Sequence, residues 1–158
     1  ALEAAEFYAS VFPNSEVTAV SRSGEAGPGA PGGVFVVEFR LDGQAFTAIN
    51  GGPQFTFNEA VSFVIACETQ QEVDRYWEAL TADGGEPGPC GWLKDKFGLS
   101  WQVVPSVVTA MLSGEDRAAA DRAMQAVMGM GKIDIAALER AYASRGVEES
   151  RSREGARG

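Results

Sequence analysis

The sequence predicts an α+β fold made of two repeated modules followed by helices. Three observations carry this. Two stretches of chain run in the same order: helix, irregular strand, strand, tight turn, strand. Apolar residues recur every three or four positions in the helical stretches and alternate in the strands. Each final strand follows a turn that carries a glycine, Gly43 in the first stretch and Gly98 in the second.

In the first stretch, residues 2–12 form an amphipathic helix. Leu2, Ala5, Ala9 and Phe12 share one side, Tyr8 lies close to it, and Pro13 stops the helix. A strand is predicted over 16–23, then a flexible Gly/Pro-rich loop over 24–33. That loop leads into no helix and so is no phosphate cradle. Residues 34–41 alternate, with Phe35, Val37, Phe39 and Leu41 on one face. Asp42-Gly43 predicts a type I′ turn, and residues 44–50 return as a strand.

The second stretch opens with an apolar strand over 60–68. Thr69 and Glu72 form a capping box for a helix that reaches about Ala82 and points Val73, Tyr76, Trp77 and Leu80 inward. Asp83-Gly84-Gly85 ends it. A segment over 91–96, a turn near Phe97-Gly98 and a strand over 99–104 complete the module. Tyr8 and Tyr76 occupy equivalent helical places. A strand precedes the helix only in this second module. Its counterpart would lie ahead of Ala1, so an N-terminally incomplete chain is expected.

The chain then becomes helical: 106–112 after Pro105, 115–128, and a last helix capped by Asp134 and ending near Ala143. Residues 144–158 lack apolar anchors and are expected to be a disordered tail. The expected organisation is therefore two modules over 1–105 (about 1–58 and 59–105), helices over 106–143, and the tail.

Composition narrows the chemistry. The chain has 158 residues, 13 basic and 22 acidic, and a formal charge of −9. That balance opposes nucleic acid and anionic membrane surfaces, both of which need clustered Lys and Arg. The absence of histidine excludes a Ser-His-Asp triad, a Cys-His pair and a His metal ligand among these residues. Cys67 and Cys90 form no CxxC motif, so reduced thiols and a cytoplasmic location are expected, with no membrane segment.

The segments AAEFYASVFPNSEV, VVEFRLDGQAFTAINGGPQFTFNEAVSF, CETQQEVDRYWEAL, CGWLKDKFGLSWQVVP and MGKIDIAALERAY resemble PhnB-like proteins of the vicinal oxygen chelate superfamily. This superfamily contains glyoxalases and bleomycin-resistance proteins. The branch is often labelled 3-demethylubiquinone-9 3-methyltransferase. The resemblance spans about residues 1–143. It implies paired βαβββ modules, an eight-stranded curved sheet around a cavity, and a homodimer. It also implies where a metal would sit in metal-using relatives: His or Glu on the first strand of each module, and Glu on the last. Ser62 and Gln102 stand at two of those positions here. A hydroxyl and a neutral amide are poor ligands for a hard or borderline cation, so no metal and no cofactor is expected.

The candidate ligand-binding residues are Asn50, Gln54, Phe57, Ser62, Trp92 and Gln102. Asn50, Ser62 and Gln102 offer hydrogen bonds from strands. Gln54 lies in a loop able to close over a ligand. Phe55 and Phe57 would line a cavity or dimer contact, with core packing the commoner role for such residues. Trp92 would wall the cavity. Trp101, out of phase with Gln102, would pack under a helix. No catalytic residue emerges. Cys90 lacks an evident base, Cys67 reads as packing, Glu38 and Arg40 as a solvated pair, and Glu59 as a remote general-base candidate. Met124, Met128 and Met130 form a soft patch suited to packing on the sheet or a partner subunit. The expected function is metal-free small-molecule binding by a homodimer. The alternatives are a metal-dependent lyase, isomerase or dioxygenase, and a literal methyltransferase.

Overall fold

The computed structural model describes residues 1–144. Residues 145–158, almost all of the expected tail, lie outside the described residues. The chain divides into two compact units, Ala1–Asn58 and the chain from Glu59 onward.

The first unit holds α1 (Leu2–Val11), β1 (Glu16–Arg22), β2 (Val34–Leu41) and β3 (Gln44–Ile49). Its strands form one antiparallel sheet in the order β1-β2-β3. The alternation along β2 works as predicted: Val37, Phe39 and Leu41 are buried, together with Ala5 and Tyr8 of α1. Asp42 and Gly43 both have positive φ, at 46° and 79°, as a type I′ turn requires. Ser23 ties the base of the 24–33 loop. Its N–H donates to the Gly33 carbonyl at 2.9 Å, and its hydroxyl donates to the Pro28 carbonyl at 2.6 Å. Arg40 pairs with Glu16 on the neighbouring strand at 4.0 Å rather than with Glu38. The reason is register: Glu16 lies directly opposite Arg40, whereas Glu38 is two residues along the same strand.

The second unit follows the order β4 (Ser62–Cys67), α2 (Gln70–Thr81), a 3₁₀ turn (Ala82–Gly84), β5 (Glu86–Pro87), β6 (Trp92–Lys94) and β7 (Ser100–Pro105). The sheet order is β4-β7-β6-β5, with β4 parallel to β7 and the other pairs antiparallel. This is a βαβββ module. The first unit repeats its last four elements, so the described residues hold seven strands in sheets of three and four, not a sheet of eight.

The Thr69 side chain accepts from the Glu72 N–H at 3.2 Å. The return contact differs from a standard capping box: the Glu72 carboxylate accepts from the Glu68 N–H, one residue ahead of the cap, at 2.6 Å. Val73, Tyr76 and Leu80 are buried beneath the helix, and Trp77 is half-buried. Asp83 and Gly84 end the helix at positive φ.

Three helices complete this unit: α3 (Ser106–Leu112), α4 (Arg117–Met128) and α5 (Ile135–Ala143). The fourth begins two residues later than predicted because Asp116 acts as its cap, accepting from the Ala119 N–H at 3.0 Å. Asp134 caps α5 as expected. The helices share a core of Val108, Ala123, Val127, Ile133 and Leu138, onto which Cys90, Val104 and Met130 pack. Gln70 stitches them to α2, donating to the Ile133 carbonyl and accepting from the Ile135 N–H. Among the described residues no helix is long and apolar enough to cross a membrane.

Candidate functional site

The site follows from strand alternation in the second unit. Phe63, Ile65 and Cys67 of β4 lie level with Trp101, Val103 and Pro105 of β7, and this face meets α2. The opposite face carries Ser62 and Val64 from β4, Ser100 and Gln102 from β7, and Trp92 and Lys94 from β6. Two rows cross it. One reads Ser62, Ser100, Lys94; the other reads Val64, Gln102, Trp92.

Gln102 Nε2 donates to Ser62 Oγ at 2.9 Å. Lys94 Nζ forms an ion pair with Glu59 Oε1. The hydrogen bond to Lys94 is the main reason the Glu59 carboxyl sits below its ordinary range, and the same bond raises the Lys94 ammonium. A carboxylate so held is a weaker base than a free one. Beside these residues runs a groove of about 410 Å³, lined by Glu59, Pro87, Pro89, Trp92, Lys94 and Ser100 among others. Ser100 lies on this face and is fully buried, and its Oγ has no hydrogen-bond partner among the described residues.

The turn before β7 is held by Asp95. Its Oδ1 accepts from the Phe97 and Leu99 N–H groups at 2.9 and 3.1 Å, and its Oδ2 accepts from Trp101 Nε1 at 2.8 Å. Trp101 is therefore anchored on the helix side, as its phase predicts, and Gln102 on the open side.

Ser62, Trp92 and Gln102 thus share one face. The other three candidates lie in the first unit. Asn50 serves as a clamp: its side chain donates to the Val34 carbonyl and accepts from the Ala1 nitrogen. Gln54 and Phe57 sit in an exposed stretch without helix or strand. Phe55 and Phe57 are 91% and 62% exposed, so the core packing ordinary for such residues does not occur. Met124 and Met128 are exposed, with Met128 Sδ 3.7 Å from the Cys90 thiol.

Sequence reasoning missed Ser100 and Asp95. Both were readable as polar residues in a strand or turn, but neither pattern says which one ends up buried. Among the described residues no group of three His, Cys, Asp or Glu side chains could hold a metal ion. The hydroxyl of Ser62 and the amide of Gln102, already bonded to each other, do not fit the divalent cation of the metal-using relatives.

Residues 1–104 match the family model for 3-demethylubiquinone-9 3-methyltransferase. One similar solved structure is a PhnB protein from Bacillus cereus, whose description assigns it provisionally to the same methyltransferases. It is 37% identical with a TM-score of 0.59, over 66% of this chain and 90% of that one. A Pseudomonas aeruginosa protein is 19% identical with a TM-score of 0.53, over 65% of this chain and 86% of that one, and supports the fold alone. No curated protein matches the chain.

Proposed function

From the premise that this chain belongs to the 3-demethylubiquinone-9 3-methyltransferase family, PhnB-like in its fold, we propose that it is a homodimeric, metal-free small-molecule-binding protein of the cytoplasm. The observation that carries this is the neutral Gln102–Ser62 pair on the open face of the second sheet, with Trp92 level with Gln102. Amide, hydroxyl and indole together suit recognition of a polar, partly aromatic molecule. They supply no activated nucleophile and no Lewis acid. Asn50, Gln54 and Phe57, on the first unit, remain proposed ligand contacts.

Literal methyl transfer from adenosylmethionine is the reading that the family's name favours. The strand-to-helix junction speaks against it. Enzymes of the common type bind the cofactor at a glycine-rich turn from a parallel strand into a helix. Here β4 leads into α2 through Glu68-Thr69, with no glycine, and Thr69 and Glu72 already occupy the helix start.

Two features support the dimer and the compartment. Val64, on the open face of β4, is 62% exposed, an apolar side chain suited to a partner surface. Both cysteines are free thiols.

Calorimetric titration of the full chain with zinc, nickel, manganese and adenosylmethionine tests the proposal. No saturable binding is expected from any of the four. Native mass spectrometry of gently purified protein is expected to find a small molecule bound. Micromolar affinity for a metal or for adenosylmethionine overturns the reading.

A further inference from the structure

We propose that the groove beside β6 is a latched pocket for a neutral, planar ligand with one hydrogen-bonding atom. Ser100 Oγ is the polar contact, and the Lys94–Glu59 ion pair is the latch. The inference rests on the open face being a small-molecule site and adds the chemical class of what enters there.

Ser100 is 1% exposed, and its hydroxyl has no partner among the described residues. A buried, unpaired hydroxyl is uncommon and calls for a reason. The row Ser62, Ser100, Lys94 supplies one. Glu59 stands just ahead of β4, and its carboxylate reaches Lys94 on β6. Between those strands lies β7, which carries Ser100, so the ion pair spans the strand that holds the hydroxyl. The pair itself faces solvent, with Lys94 38% and Glu59 61% exposed. Exposed pairs contribute little to stability and open readily. Opening this one uncovers a hydroxyl that none of the described residues satisfies.

The lining selects the ligand. Pro87, Pro89 and Trp92 provide apolar walls, and Trp92 offers a flat surface for stacking. Lys94 and Glu59 neutralise each other, and Glu86 adds one negative charge at the groove. An anion would have to face Glu59 and Glu86 within a chain of net charge −9. A cation that took Glu59 would strand the Lys94 ammonium beside itself. A neutral ligand, once seated, competes for neither charge and lets the pair close again. The Ser100 hydroxyl can then donate to a carbonyl or accept from an N–H.

Three near-isosteric planar probes test this on the full chain: benzamide, benzoate and benzamidinium. Each is titrated by amide NMR, following the Trp92 indole N–H and the Ser100 amide. Benzamide is expected to shift both signals and to bind about fivefold tighter than either charged probe. Ser100→Ala, with its remaining spectrum unchanged, is expected to weaken benzamide about fivefold, the worth of one hydrogen bond. Glu59→Gln, which loosens the latch, is expected to tighten it. A preference for a charged probe, or unchanged affinity in Ser100→Ala, overturns the proposal. Benzamide that shifts Ser62 and Gln102 but not Ser100 overturns the latched pocket while upholding small-molecule binding on this face. No shift on this face from any probe overturns both.

Discussion

Gln102 donates through its Nε2 to Ser62 Oγ at 2.9 Å, across the parallel pair β7 and β4. Each side chain thereby meets part of the other's hydrogen-bonding need at two positions where metal-using relatives are expected to offer His and Glu. The pair is half-buried, so water can replace either partner. Gln102→Ala is expected to change unfolding free energy by no more than about 1 kcal/mol in urea denaturation. The double substitution Ser62→His with Gln102→Glu restores two ionic or imidazole donors on adjacent strands. It is expected to gain nickel or zinc binding by calorimetry that the parent chain lacks.

Asp95 presents the opposite case. It is 2% exposed, and its carboxylate accepts from two backbone N–H groups and the Trp101 indole. Asp95→Ala strands three donors, two of them buried, and is expected to destabilise by about 3 kcal/mol. Near-ultraviolet circular dichroism should lose intensity as Trp101 is released. A loss below about 1 kcal/mol would show that the turn holds without its anchor.

The Thr69 cap supplies a smaller increment. Thr69→Ala removes the acceptor for the Glu72 N–H and is expected to cost about 1 kcal/mol, with Thr69→Ser close to neutral. Thermal melts of the two variants side by side separate loss of the cap from loss of volume.

Burial pushes the Cys67 thiol up to about 11 from an ordinary 9.0. Between those values the folded chain keeps a proton that the unfolded chain has released. The stabilisation is complete below pH 9.0 and is lost as pH rises toward about 11. Cys67→Ala is expected to flatten the fall in stability over that alkaline window relative to the parent chain. A thiol reagent at pH 8 should modify half-buried Cys90 well before Cys67.

Val64 is 62% exposed on the open face, beside Gln102. With Val64 at the proposed dimer surface, Val64→Lys buries a charge there. Light scattering behind size exclusion is expected to find the parent chain dimeric and this variant shifted to monomer by at least about tenfold in dissociation constant.

Most of the elements were legible because their causes are local. The Asp42-Gly43 turn needs positive φ at both residues, Thr69 and Asp134 meet unpaired helix N–H groups, and Pro13 cannot continue a helix. Alternation also decided that Trp101 and Gln102 face opposite sides, and the family motifs covered both modules. Burial and partnership of single polar groups were not legible, because they depend on residues brought together from afar. Glu59 lies 35 positions before the Lys94 that holds it. Ser62 meets Gln102 only because β4 pairs in parallel with β7 after an intervening helix and two strands. Phe55 and Phe57 look like core residues by composition, yet both are exposed among the described residues. Local chemistry sets the order and ends of the elements. The parallel crossing of β4 and β7 sets which polar groups are bonded, sealed or left open, because only that crossing brings distant residues within hydrogen-bond reach.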